Sequence, residues 1–549
     1  MNPYVFRSFL ASFVAIGAAA IALAQDDKPL APLLEGLGEF HYPVSTNVER
    51  AQTFFDQGLI LAFGFNHAEA RRSFEEAARL DPQCAMAQWG IALVLGPNIN
   101  AAMEDEDVPA AYAAAQKAME LSPGATEKEQ DLIRAVTQRY PAEPVEDRSI
   151  FDEAYADAMR EVAKKYPRDV NIQALCAEAL MDLHPWDYWT RDGAIQPWTQ
   201  EILDLLEQAL ALDKNHAGAN HFYIHAVEAS NAPERGLPSA DRLGAIAPGA
   251  GHLVHMPAHI YIRVGRYHDG SLANVRAMAS DSEYITQCHA QGIYPLAYMP
   301  HNAHFLWATA TMEGDSKTAM DAAQKTADMV ADDMMREPGM GTLQHFKMIP
   351  LYAMVRFGKW DEILAYPEPA QDLLYPRGVW HYARGIAYAR TDRISDAVAE
   401  LEALKIIAAD PALAEVTIWD INSTVELLKI AFNVLAGEIA AAKGEYEHAL
   451  MQLEEAVEIE DALTYNEPPD WFFPVRQTYG AILLESGDPE AAESVYRADL
   501  RKFPNNGWSL LGLAQALQDQ GKTEEAGKVE DQFQTAWQYA DVTIQGSRF

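Results

Sequence analysis

The sequence predicts an all-α chain, a right-handed superhelical solenoid of helix pairs. Three observations predict it. A self-similar pattern recurs at about 34 residues along most of the chain. Within each period, small residues fall where two helices would cross, and a proline or a glycine-bearing turn punctuates the unit. The period-2 alternation of a strand is poor throughout.

The clearest unit is residues 51–82. Phe54 and Gly58 sit in its first helix, Ala70, Phe74 and Ala77 in its second, and Pro82 closes it. In 430–462 the markers are Gly437, Gly444, Tyr446, Ala449 and Ala456, and in 473–504 they are Gly480, Gly487, Ala492, Tyr496 and Pro504. Units centred on 251–281, 300–331, 344–374, 378–410 and 507–537 keep the turn between helices as VGRY, EGDS, FGKW, RTDR and QGKT. Weaker units cover 85–123, 127–167, 170–214 and 217–248. This is the tetratricopeptide (TPR) pattern, in which each pair buries its face on its neighbours and the first helices line a concave groove. Two insertions interrupt the array, Gly96 to Pro109 and Tyr284 to Pro300. Long connections in a repeat array are often functional, and the second one abuts a histidine-rich region.

The division that follows is a signal peptide over 1–24, a lead-in over 25–48, N-terminal repeats over 49–167, central histidine-rich repeats over 168–345 and C-terminal repeats over 346–549. Arg7 precedes an apolar run from Phe9 to Ala22, and Ala22-Leu23-Ala24 forms an A-x-A cleavage site before Gln25. The run is short for a membrane span. The expected location is therefore periplasmic or secreted, with no membrane span after cleavage. A formal net charge of −38 over 549 residues argues against nucleic acid and anionic lipid as partners. Three cysteines, Cys84, Cys176 and Cys288, are too few and too odd for a disulfide framework. Stability must come from helix packing.

The chemistry-bearing feature lies in the central repeats. His221 and His225, then His252, His255 and His259, then His301 and His304 occupy three successive first helices. His221, His225 and Glu228 follow an i, i+4, i+7 spacing and share one face; His252, His255 and His259 at i, i+3, i+7 share another. First-helix positions 2, 5, 9, 12 and 13 face the groove of such an array. With units starting at Ala217, Gly251 and Pro300, all seven imidazoles and Glu228 fall on those positions. The preceding unit places Glu178 and Asp182 there, with His184 in the loop after it, and the following unit adds His345 and Tyr352.

Neutral imidazole is the commonest transition-metal ligand, and three adjacent helices presenting it to one surface form a metal site. The predicted metal set is His221, His225, His252, His255, His259, His301 and His304, with Glu178 and Glu228. Seven histidines exceed the need of one ion. A histidine-only set suits copper, which is favoured, whereas carboxylate ligands would suit iron or zinc. Arg263 is a candidate to hold an anionic substrate group, and Tyr261 a candidate catalytic phenol or else a core contact. No HExxH, GxSxG, phosphate-binding loop or dinucleotide fingerprint is present. A separate string joins His67, Cys84 and Met86, for which capping and packing are the simpler explanation. The functional expectation is a metal-dependent oxidoreductase acting on a small molecule in the groove. The alternatives are a scaffold binding a peptide or partner protein there, and a zinc-dependent hydrolase.

The strings FNHAEARRSFEEAARLDPQCAMAQWG, LHPWDYW, HFYIHAVEAS, GAGHLVHMPAHIYIRVGRY and MPHNAHFL together resemble a family of exported bacterial TPR proteins, over roughly residues 40–540. The resemblance implies the repeat fold and export; it implies no activity.

Overall fold

The computed structural model describes residues 28–288 and 297–549. The expected signal peptide and residues 289–296 of the second insertion lie outside the described residues. The chain forms two compact units, one dominated by residues 40–158 and the other by 159–549. Both are helical, as the repeat pattern predicts. The sheet among the described residues is a two-stranded antiparallel hairpin, Thr417–Ile418 with Asn422–Ser423.

In the first unit, helices Glu49–Ala62 and His67–Leu80 pair, followed by Ala85–Leu95 with Val108–Leu121. The packing rule is visible at Phe74. Its ring occupies the space where a Cβ on Gly58 or Gly90 would stand, 2.7 and 2.5 Å away. The two glycines are 32 residues apart, one in the first helix of each consecutive pair. A large second-helix side chain thus locks two first helices together. Cys84 is buried, and burial pushes its thiol to about 11; Cys84 and His67 join none of the converging donor sets described below.

The second unit repeats the device. The Tyr496 ring fills the space beside Gly480 and Gly512, which are again 32 residues apart. Among the described residues, nine successive first-helix positions run through this unit: Val170–Met181, Ala217–Glu228, Gly251–His255 with Pro257–Arg263, Met299–Glu313, Gly341–Arg356, Leu374–Arg390, Thr424–Ala442, Val475–Ser486 and Gly507–Asp519. One departs from expectation. The helix expected to carry His252, His255 and His259 is split into Gly251–His255 and Pro257–Arg263. Pro257 supplies no N–H to the ladder, which forces the break. The split leaves the three imidazoles in one cluster.

Gly480→Ala drives a methyl group into the Tyr496 ring and should cost about 1–3 kcal/mol of unfolding free energy. Gly527→Ala, in helix Thr523–Ala536 with nothing within 4 Å of the new Cβ, should be neutral or stabilise by about 0.5–1 kcal/mol. Denaturant unfolding of the two variants checks the pair of outcomes.

Candidate metal centre

Helix Ala217–Glu228 is buried along its whole length, so its polar residues face other protein groups rather than water. His221 and His225, one turn apart, and Glu228, about one turn further, point into the interior. The Glu228 carboxylate accepts from His225 Nδ1 at 2.7 Å and from His259 Nδ1 at 2.5 Å. His255 Nδ1 lies 2.6 Å from Asn274 Oδ1. Across the cluster, His221 Nε2 meets His252 Nε2 at 3.1 Å, and His255 Nε2 meets His259 Nε2 at 2.9 Å. Three sets of donor atoms converge, each within 4.8 Å: His221, His225 and His252; His255, His259 and His301; and Glu228, His259 and Glu467.

The hydrogen-bond partners fix the tautomers. Asn274 Nδ2 donates to the Gly270 carbonyl at 2.9 Å, so its oxygen is what faces His255, and His255 Nδ1 carries a proton. An ionised carboxylate only accepts, so His225 and His259 also carry theirs on Nδ1. With Nδ1–H committed outward on both rings, the two Nε2 atoms face each other at 2.9 Å, a contact that holds either one proton shared between them or a cation against both. A proton is opposed at His255, where burial first and His259 second hold the imidazole well below its ordinary range. Two nitrogens bound to one ion at about 2.0–2.1 Å stand about 2.9 Å apart at a right angle and about 3.4 Å apart in a tetrahedron. The observed separations of 2.9 and 3.1 Å lie at that edge length.

Burial likewise pushes His225, His252 and His301 down, and neighbouring imidazoles add to it. Burial alone would raise the Glu228 carboxyl, but His259 and His225 overcome it and hold Glu228 ionised. Glu467 has the opposite fate: burial and the adjacent Glu228 charge push it well above the carboxyl range. Its Oε2 lies 3.5 Å from His259 Nδ1.

Six of the seven predicted histidines therefore come together. His304 does not join them. It stacks on Trp307 at 5.2 Å between centroids and lies 5.5 Å from the His345 ring. It shares its helix with His301 but sits about 300° further round, which turns it toward the next repeat. Glu228 is placed as an orienting carboxylate on the outer nitrogens. Glu178, half-buried on Val170–Met181, belongs to none of the three converging sets, nor do Asp182 and His184. Tyr261 faces away: it donates to Asp241 at 2.9 Å, with Arg266 over its ring. Two residues after His259 on a helix is a turn of about 200°, which places Tyr261 on the side opposite the cluster. Arg263 reaches the site's edge. Its Nη1 donates to the Glu228 carbonyl, its Nε stands 3.9 Å from Glu467, and its guanidinium lies over the Tyr465 ring.

Asn274, Tyr465 and Glu467 were not legible in the sequence. Asn274 is one of many polar residues in a second helix, with nothing in the spacing to single it out. Tyr465 and Glu467 come from a loop more than 230 residues beyond Glu228. Beside this loop lies a cavity of about 1300 Å³, bordered by Trp186, Arg263, Tyr465, Glu467 and Trp471. Two tryptophans hold left-handed backbones next to the histidines. Trp186 (φ 62°) sets its ring edge-on to His225 at 5.1 Å, and Trp419 (φ 53°) does the same to His301 at 6.1 Å. Such conformations are uncommon for bulky residues and persist where the surroundings hold them.

Residues 483–529 match the family model described as tetratricopeptide repeat. No curated protein matches the sequence significantly. Among solved structures, the Cut9–Hcn1 hetero-tetramer of the APC/C is similar at 12% identity over 90% of this chain and 80% of that one, with a TM-score of 0.34. A human IFIT1 dimer with m7Gppp-AAAA is similar at 12% identity over 89% and 90%, with a TM-score of 0.31. Yeast Tom70 is similar at 12% identity over 88% and 92%, with a TM-score of 0.29. Superposition at these scores is loose. The repeat assignment rests on the helix pairs themselves and on the matched stretch.

The cavity also has buried acids in its wall. Burial pushes Glu460, which accepts from the Val475 N–H, to about 7. A folded-state pKa above the unfolded value means that stability is greatest below about pH 4.5 and is lost as pH rises through about 7. Relative to the native chain, Glu460→Gln should therefore gain about 3 kcal/mol between pH 4.5 and pH 8. Urea unfolding at the two pH values tests this, and a pH-independent difference would contradict it.

Proposed function

We propose that the six clustered histidines bind first-row transition metal ions, copper favoured, as two three-histidine sites, and that the chain is an exported oxidoreductase of a small molecule admitted through the adjoining cavity. The observation that carries the reading is the His255–His259 contact. Two imidazole nitrogens, each on a ring whose Nδ1–H is committed to an acceptor, face each other at 2.9 Å, the separation of two nitrogens bound to one ion. His221, His225 and His252 would hold one ion; His255, His259 and His301 would hold the other. Glu228 joins the two sets from behind, since His225 belongs to the first and His259 to the second. A carboxylate on the outer nitrogen of a ligating histidine fixes the ring and raises its basicity.

The choice among metals follows from donor chemistry. The inner atoms are imidazole nitrogens with no thiolate, which disfavours iron–sulfur and structural zinc. A three-nitrogen set without a carboxylate suits copper better than the mixed sites typical of non-haem iron. Bound metal would supply redox change or polarisation of a coordinated substrate. The protein groups around it have assignable tasks: Arg263 borders the cavity as an anchor for an anionic group, and Trp186 and Trp419 shield the imidazoles.

Protein purified without an affinity tag and loaded with copper should hold about two ions per chain by elemental analysis, and His255→Ala should lose at least one. Glu228→Gln keeps the volume but cannot accept from both Nδ1–H groups, and should weaken metal binding about 10–100-fold. Sub-stoichiometric metal after supplementation with copper, iron and zinc would sink the reading. So would an unchanged content in His255→Ala.

A further inference from the structure

A second binding feature lies in the later repeats, away from the histidines. After helix Thr523–Ala536, residues 541–549 run without helix or strand across the first helices of this unit. They are held at successive points. Asp541 accepts from the Ser316 and Lys317 backbone N–H groups at 2.7 and 3.0 Å. The Gln545 carbonyl accepts from Gln515 Nε2 at 2.6 Å. Ser547 is fully buried; its hydroxyl lies 2.6 Å from the Gln477 carbonyl and 2.7 Å from the Tyr496 hydroxyl. Arg548 pairs with Glu438 at 3.1 Å and with Glu485 at 2.8 Å. Phe549 packs against Gly358 and sets its ring edge-on to Trp508 at 5.9 Å.

The receiving residues have the character of a recognition site. Gln477, Glu438, Glu485 and Gln515 sit on three first helices, at the positions that face inward in such arrays. Glu438 is buried, and burial pushes its carboxyl to about 7 although Arg390 opposes this. Arg390 stands 3.6 Å from it, and the segment's Arg548 adds a second and closer guanidinium at 3.1 Å. Arg356 is buried beneath, its guanidinium 3.4 Å from the Trp508 ring centre and 4.4 Å from that of Phe473, with Nη1 toward the Ser547 carbonyl at 3.4 Å. The groove thus presents a buried hydroxyl slot, an acid pair and an aromatic wall in line. These complement a hydroxyl–arginine–aromatic tripeptide, the kind of short extended ligand that solenoid grooves bind.

We propose that the inner face spanning residues 341–519 is a peptide-binding groove specific for a hydroxyl–arginine–aromatic sequence, and that residues 541–549 are its resident ligand, bound in cis. A tethered ligand competes at an effective concentration in the millimolar range, so the intact chain masks its own groove. This holds whether or not the histidine cluster binds metal.

The test uses the full chain and a fluorescein-labelled peptide of residues 541–549, with anisotropy as the readout. Arg548→Ala releases the cis contact and should take up the native-sequence peptide at least about tenfold more tightly than the unaltered chain does. Adding Glu438→Gln to Arg548→Ala should remove that gain, as should an Arg548→Glu peptide. A folded Arg548→Ala chain that binds the peptide no better than the unaltered chain overturns the proposal. A second variant ending at Ala540 guards against residual masking. If it folds by circular dichroism and binds the peptide, the groove is a ligand site. If it unfolds and the peptide does not rescue it, the segment is a structural part, and the proposal fails.

Discussion

One buried carboxylate organises the central repeats. Glu228 is fully enclosed, and an isolated charge there would cost several kcal/mol. It stays ionised because two imidazole N–H groups, from its own helix and from the next repeat, converge on its two oxygens. That single charge sets the protonated nitrogen of both rings. It also turns their second nitrogens inward, and its repulsion adds to burial in pushing the adjacent Glu467 carboxyl up. Replacing Glu228 by an apolar residue would leave both rings free to rotate and to exchange tautomers. The rest of the cluster takes its geometry from this hinge.

Helix periodicity made much of the centre readable. The spacing of His221, His225 and Glu228 fixes a common face, and the glycine and alanine anchors of each repeat fix which face turns inward. Six histidines follow those two rules. His304 shows where the rules stop. A groove position says which surface a residue reaches, but not which neighbouring repeat it leans on, and Trp307 and His345 draw it away. Of the two readings open for Tyr261, its hydrogen bond to Asp241 on the far side of the helix fits the packing one.

The remaining residues of the site left no pattern to follow. Asn274 acts through one carbonyl oxygen whose direction depends on the Gly270 backbone. Glu467 and Tyr465 arrive from a loop that the repeat pattern treats as a connection. Their burial comes from packing across repeats, which a periodic sequence signal cannot encode. The helical repeats were legible because each is a local unit whose small residues recur, as Gly480 and Gly512 do around Tyr496.

An array in which each repeat touched only its neighbours would behave as a spring, with bending and twisting spread over every joint. Here the coil is also closed across itself, with Trp508 Nε1 donating to the Thr311 carbonyl at 3.0 Å, and the segment that begins at Asp541 ties the same region a second time. It is pinned at one end to the start of helix Ser316–Asp328 and at the other to Glu438 and Glu485, on helices more than 100 residues further along the chain. A tie between distant coils removes the softest modes of the span it crosses. Releasing the segment would leave the Trp508–Thr311 closure in place, so the later repeats would soften without coming apart.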